Sequence, residues 1–515
     1  MKYFAGLLIL QLLLLTGNAQ RTVKADLRKV KGDRIDVFKE CVGAGRANEG
    51  LRADWQQQLT MVQKEIGFKY IRFHGLLHDD MGVYLMDRTG KVAYNWQYID
   101  KLFDFLLSVN IRPFVEFSFM PTALASGPKT IFWWKGNVTK PKSYPGWDSL
   151  ITNLVTHWTE RYGKDEVSKW YFEVWNEPDL KGFFDGTQEE YFELYRHTTK
   201  AVKAVSPSYR VGGPATSATK WIAEFLHHCD SAKLAVDFVS THDYATTSVL
   251  DTTGTRKHQL KDNYDTIANN AKRVRKIIKA SAFPNAELHF TEWNVSPSSR
   301  DPMHDSYQSA AFILNTLKKT DVAANSMSYW TFTDVFEEVA PGPTFFHGGF
   351  GMVSLSGVRK PSYYAYKFMS ELGGKELING DSSSYICTSS NGDVQALIWE
   401  CTFNPTGKLF NQGYFAQVRQ PKFLSPVLVE INGLKNGKYK VELYKVGYKE
   451  NDPFTRYLEM GRPAFTTVQQ EKELAGLSKG LPASTETVVI TNGMFKRQLP
   501  IRENDVVFVK LIRIK

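Results

Sequence analysis

Hydrophobic positions along residues 36–372 alternate between two spacings. Short apolar or β-branched runs recur at 36–43, 69–74, 112–117, 169–176, 209–213, 236–242, 287–292 and 326–332, each the length of a buried strand. Between them, at 51–66, 95–109, 147–162, 187–204, 217–229, 261–280 and 304–319, apolar residues return every three or four positions. In 95–109, for example, Trp96, Ile99, Phe103, Leu106 and Leu107 share one helix face. A last helix, 361–372, opens on Pro361 and is followed by Gly373-Gly374. Eight strands, each followed by a helix, predict an α/β fold of the (β/α)8 TIM-barrel type over residues 36–372. A doubly wound open sheet is the competitor, but no glycine-rich phosphate fingerprint follows the first strand. Gly43-Ala44-Gly45 is too short for one and is expected to form a tight strand-to-loop turn.

From about residue 380 the texture changes. Val394 to Trp399, Val427 to Ile431 and Val506 to Leu511 alternate or run apolar between turn signals such as Asn436-Gly437. Residues 373–515 are therefore expected to form an accessory antiparallel β-sandwich. Weaker β character between Tyr448 and Leu481 leaves room for a helix or an insertion, and the polar segment 20–35 is a candidate edge strand of that domain. At the N-terminus, Lys2, the apolar run Phe4 to Leu15 and small residues at Gly17 and Ala19 have the form of a signal peptide cut after Ala19. A secreted protein, periplasmic or extracellular, is expected, with no membrane span after cleavage.

Composition changes little in this picture. The 515 residues are 43% hydrophobic and 23% charged, an ordinary balance for a chain with a sizeable core. The net charge of +10 is spread along the chain, and its densest cluster, Lys272 to Lys276, lies within a helical pattern and reads as a solvated face. No nucleic-acid partner is expected, while an acidic polysaccharide substrate stays open. Cys41, Cys229, Cys387 and Cys401 are far apart and lack metal-ligand spacing. The Asn391-Gly392 turn would set Cys387 opposite a residue near Gln395 rather than Cys401, so buried thiols are expected. Two glycosylation sequons occur, at Asn137 and Asn294.

The chemistry is concentrated in two segments. Trp170 to Pro178 runs the fourth strand into a loop that carries Asn176-Glu177, and His289 to Asn294 places Glu292 at the end of the seventh strand. Barrel enzymes build their sites at these C-terminal strand ends. Two carboxylates held across the mouth suit glycoside cleavage: a protonated one delivers a proton to the leaving oxygen, and an ionised one attacks or stabilises the sugar. Repulsion from the ionised partner raises the pKa of the acid, and disappears once that partner is esterified. Glu177 and Glu292 are thus the candidate catalytic pair. Retention requires their carboxyl groups to lie about 5–5.5 Å apart. Neither a metal nor an organic cofactor is expected; the partner is an oligosaccharide substrate.

With Phe172-Glu173-Val174-Trp175-Asn176-Glu177-Pro178, the chain resembles glycoside hydrolase family 39, the β-xylosidases and α-L-iduronidases. Further motifs carry the resemblance across about residues 36–372: Tyr70 to Gly75, Val115 to Pro121, Arg210 to Ala215, Ser240 to Tyr244, Thr291 to Asn294 and Tyr329 to Glu338. The runs Phe336-Glu337-Glu338 and Phe346 to Gly351 resemble the bacterial β-xylosidase branch more than the iduronidase branch. The resemblance implies a barrel with an accessory β-sandwich, retention of configuration, and release of terminal β-linked sugar, with xylose from xylo-oligosaccharides foremost. It also implies roles for site residues, with Glu177 as acid/base and Glu292 as nucleophile. Asn176 would bond the sugar 2-hydroxyl and His74 the glycone hydroxyls, His242 and Tyr244 would orient Glu292, and Trp330 would floor the sugar. Glu337 and Glu338 would hold a diol. Phe132 to Lys135 would wall the entrance or simply pack. The loop 245–262 departs from the pattern, so galactosidase, glucosidase, arabinosidase and uronic-acid-directed activities, and a non-catalytic carbohydrate-binding barrel, stand as alternatives.

Overall fold

The computed structural model describes residues 20–251, 253–261, 264–403 and 410–514; the expected signal segment 1–19 lies outside them. Eight parallel strands close a barrel: Cys41–Arg46, Tyr70–His74, Arg112–Phe117, Tyr171–Val174, Arg210–Thr216, Phe238–Tyr244, Glu287–Asn294 and Ser326–Tyr329. Each overlaps one of the eight apolar runs. The first starts late because Val37–Lys39 forms a 3-10 turn.

Helices at Ala53–Glu65, Gln97–Ser108, Tyr144–Tyr162, Gln188–Val205, Ile222–Ser231, Thr266–Lys279, Gln308–Thr320 and Pro361–Ser370 return the chain to the start of the next strand. Local chemistry fixes several of their ends. The Thr187 hydroxyl accepts the Glu190 N–H while the Glu190 carboxylate accepts the Thr187 N–H, a reciprocal cap that satisfies two otherwise unpartnered donors. Ser143 caps the third helix, with Pro145 in its first turn. In the second helix Ile99, Leu102, Phe103 and Leu106 are buried, whereas Trp96 and Leu107 are only partly covered.

One expectation is corrected here. Gly43-Ala44-Gly45 is not a turn: the first strand runs through it to Arg46. A Cβ on Gly43 would stand 2.5 Å from the Trp330 ring, and one on Gly45 would strike the Glu49 carboxylate. These glycines are there for close approach, so that Trp330 and Glu49 can press against the strand.

The C-terminal region forms two sheets. The larger runs in the order Val30–Asp33, Lys375–Leu377, Ser384–Thr388, Val394–Trp399, Val506–Arg513, Gly437–Val446, Ser484–Ile490, and all its pairings are antiparallel. The smaller holds Thr22–Asp26, Val427–Asn432 and Met494–Leu499, its first pair parallel. Val23, Ile386, Ile398, Val429, Val441 and Val509 belong to the core shared by the two sheets. The N-terminal segment thus supplies two edge strands, one to each sheet. Helices Pro453–Glu459 and Val468–Gly476 occupy the region of weak β character and pack on Phe345 and Phe346. Phe368 of the last barrel helix stacks on Phe508, joining barrel to sheet. Cys387 stands opposite Gln395, and all four cysteines are free thiols. Among the described residues no helix is long and apolar enough to cross a membrane.

Candidate active site

The inward faces of the second, third, fourth and seventh strands carry charge instead of the usual aliphatic filling. Arg72 is fully buried; its guanidinium meets Glu116 at 2.6 Å, Glu173 at 2.9 Å, Glu292 at 2.5 Å and the Asn176 side-chain oxygen at 2.8 Å. A buried guanidinium is tolerable only when its donors are met this completely. Glu116 also receives His74 Nδ1 at 2.9 Å, and Glu173 accepts the Thr291 hydroxyl at 2.8 Å. This lattice fixes Glu292, Asn176 and His74 from below.

Glu177 follows the fourth strand through a sharp turn. Trp175 and Glu177 both take positive φ, 70° and 42°, and Pro178 disfavours the right-handed helical alternative for Glu177. The Glu177 N–H donates to the Ala215 carbonyl at 2.9 Å, which seats the turn against the fifth strand. The carboxyl group then points into the mouth, with Oε1 3.0 Å from His242 Nδ1. Glu292 holds Arg72 on one oxygen and the Tyr244 hydroxyl, at 2.8 Å, on the other. His242 Nδ1 is also 3.6 Å from Glu292, and its Nε2 meets the Thr291 hydroxyl at 3.1 Å. One oxygen of Glu177 and one of Glu292 lie within 4.8 Å of each other. That is the close spacing of a double-displacement pair rather than the wider gap that admits a water between them.

The two carboxyl groups are driven to opposite states. Burial, with a smaller contribution from Glu292, pushes Glu177 above the ordinary carboxyl pKa against the pull of His242. Burial also works against ionised Glu292, but His242, Arg72, His74 and the Tyr244 hydroxyl outweigh it and hold its pKa below the ordinary value. Burial, then Glu292 and Glu177, pushes the Glu338 carboxyl well above the ordinary carboxyl pKa. Glu177, His242 and Glu292 are also the three residues, among those described, whose donor atoms converge closely enough to hold a cation. His242 already spends its Nδ1 on Glu177, and neutralising both carboxylates would abolish the acid–nucleophile difference just described.

A cavity of about 460 Å3 opens above the pair. His74, Asn176, Tyr244, Trp330 and Glu338 line it with both carboxylates. His242 does not: it is completely buried beneath them, so it holds the carboxyl groups rather than a sugar. Glu337 is a second correction. Its carboxylate turns away to Arg52 at 2.8 Å and Arg46 at 3.1 Å, while its neighbour Glu338 faces the cavity. Phe132 lies parallel to the His74 ring and the Trp133 N–H donates to the Glu338 carbonyl, so this loop braces the sugar-facing wall. Arg72, Glu116 and Glu173 carry no role in the sequence reading. The departing loop 245–262 forms a hairpin, Thr246–Leu250 with Arg256–Leu260, over the outer half of the cavity. The Asn137 and Asn294 side chains are buried and donate to the Gly127 and Trp330 carbonyls, which leaves neither sequon presented to solvent.

Two close carboxyl groups with oppositely shifted pKa values at the C-terminal mouth of a (β/α)8 barrel fit a retaining glycoside hydrolase. The chain belongs to glycosyl hydrolases family 39, whose model matches residues 22–492. It is 38% identical to the "Beta-xylosidase" of Geobacillus stearothermophilus over 93% of both chains. It superposes on a monomeric β-xylosidase of Caulobacter crescentus with a TM-score of 0.93 at 39% identity, covering 96% of this chain and all of that one. Similarity to human α-L-iduronidase is 30% over 210 residues, 36% of this chain and 30% of that protein.

Proposed function

We propose that the protein is an exo-acting β-xylosidase with Glu177 as acid/base and Glu292 as nucleophile. The observation that carries the sugar assignment is Glu338 at the sugar-facing end of the cavity, beside His74, Trp330 and Phe350. A carboxyl group at that wall, with its pKa pushed up by burial, suits the hydroxyls of a neutral sugar. The β-xylosidases similar over nearly the whole chain support the same choice.

In the first step a Glu292 oxygen attacks C1, the bond from C1 to the leaving oxygen breaks, and the Glu177 proton moves to that oxygen. The product is a sugar ester of Glu292. Its formation removes the negative charge that helped keep Glu177 protonated. Glu177, now a carboxylate, takes a proton from water while the water oxygen attacks C1. The ester bond breaks, and both carboxyl groups return to their starting states. Throughout, Arg72 and Tyr244 keep Glu292 in place.

Azide tests the two roles separately. Glu292→Ala should lose at least about 10^4-fold in kcat, the scale of a missing covalent nucleophile, and azide should then yield the α-glycosyl azide. Glu177→Ala should accept azide to give the β-glycosyl azide; the opposite pattern would exchange the assignments. Side-by-side rates on aryl xyloside, arabinoside, galactoside, glucoside and iduronide decide the glycone, and a fastest sugar other than xylose would overturn that part. We also propose secretion on the strength of the 1–19 segment, checked by sequencing the N-terminus of the mature protein outside the cytoplasm, where Gln20 is expected first.

A further inference from the structure

Acidic and basic side chains are divided unevenly along the cavity. Glu177, Glu292 and Glu338 stand at the sugar-facing end, while the outer wall carries Arg256, His258 and Lys261. The hairpin sets two of these by register. Ser248 stands opposite His258 and Leu250 opposite Arg256, and residues directly opposite share a face. Strand alternation therefore points Thr246, Ser248, His258 and Arg256 at the cavity and turns Thr247, Val249, Lys257 and Gln259 away. At about 3.3 Å per residue, Arg256 lies about 13 Å further along the strand than Leu260, well beyond the reacting carbon.

These cations are not drawn into ion pairs by the described carboxylates. Lys257, on the far face, reaches Asp251 at 4.0 Å, but among the described residues no carboxylate lies within ion-pair distance of Arg256, His258 or Lys261. Among the described residues Lys261 Nζ donates to the Tyr244 carbonyl, at 3.0 Å, and His258 Nδ1 is buried without a hydrogen-bond partner. Asp243, the acid in this wall, feels the Lys261 charge at longer range but spends its oxygens on the Tyr244 N–H and the Asn270 amide. Asp179, nearby, is taken up by Ser217 and Lys220. The hairpin itself is held, because the Asn411 side chain accepts the Leu260 N–H at 3.2 Å and donates to Asp301 at 2.8 Å.

Glu177 protonates the leaving oxygen, so the leaving group extends from Glu177 past Leu180, Phe183 and Ser217 to the hairpin. We infer that this outer half is a subsite for an anionic saccharide: the enzyme removes neutral xylose from a xylo-oligosaccharide whose leaving half bears a uronic acid. The carboxylate of that branch meets Arg256 and Lys261, with His258 donating a hydrogen bond. This inference rests on the β-xylosidase assignment.

The test compares kcat/KM for xylotriose with that for xylotriose bearing a glucuronic acid branch on its middle residue. The branched sugar is expected to be favoured about fivefold at low salt, the worth of one partly exposed ion pair. The preference should shrink toward unity at about 0.5 M salt, where the Debye length is only a few ångströms. In Arg256→Gln combined with Lys261→Gln the branched-to-unbranched ratio should fall to about one. A wild-type ratio at or below one, or a preference that survives in the double variant, overturns the subsite alone. Turnover of neither sugar overturns the xylosidase assignment and the subsite with it.

Discussion

Replacing Tyr244 by Phe removes one oxygen and one contact, the 2.8 Å hydrogen bond to Glu292. Burial and the nearby Glu292 charge push the phenol pKa well above its usual value, so the hydroxyl donates at every pH the enzyme meets. A hydrogen bond to an ionised group contributes about 1.5–3 kcal/mol, which is about 1–2 pKa units at 1.36 kcal/mol per unit. Arg72 and His242 remain in place and absorb part of the loss, so a shift of about one unit is expected. The sign follows from which form gains. The bond favours ionised Glu292, whose pKa is already held low; without it the pKa rises. The acid limb of the kcat/KM profile on an aryl xyloside, followed from about pH 3 to about pH 9, should therefore move up by about one unit. The basic limb, set by Glu177, should move less. An acid limb that stays put or moves down, in a variant with an unchanged melting curve, would refute the coupling of Tyr244 to Glu292.

Three further outcomes follow from the same geometry. Because burial pushes the Glu338 pKa well up, Glu338→Gln, a neutral replacement of the same shape, should keep kcat/KM within about threefold while Glu338→Ala loses about tenfold or more, one hydrogen bond to substrate; equal losses would argue against the raised Glu338 pKa. Gly43→Ala would drive a methyl group into Trp330. A stability loss of about 1–3 kcal/mol and a raised KM are expected, and an unchanged KM would show that Trp330 can yield. Lys360 lies fully buried between Asp305, at 2.6 Å, and Asp334, at 2.5 Å. Lys360→Met should cost about 3–5 kcal/mol in urea unfolding, and an unmoved midpoint would mean the two aspartates share a proton instead.

Strand and helix periods were enough to count the barrel, because each of its elements buries one face and repeats at its own spacing. The positions of Glu177 and Glu292 followed from that count, since a strand end leaves a side chain few directions. Parity within the strands also held a signal that went unused. Arg72 and His74 are two residues apart on one strand, and Glu116 pairs in register with Glu173 on the next two. Charged residues at inward positions require one another. Other features were not available to period or motif. Glu337 and Glu338 are consecutive in an irregular loop, and only the placement of Arg46 and Arg52 decides which one faces the cavity. The hairpin at 246–260 is polar on both faces, so alternation alone could not say which face meets a ligand.

The two N-terminal strands are fastened to strands that lie beyond the barrel in the chain, and this orders events during synthesis. Thr22 pairs with Leu428 and Lys375 with Asp33, so neither N-terminal strand has a partner until most of the barrel has left the ribosome. At about 5–20 residues per second, the 406 residues that separate Thr22 from Leu428 represent a wait of about 20–80 s. Throughout that interval the segment is an open strand edge, the kind of surface that invites pairing with a neighbouring chain. Its charged side chains, Arg21, Lys24, Arg28, Lys29 and Lys31, suit that wait. Charged side chains on an open edge disfavour its pairing with a neighbouring chain.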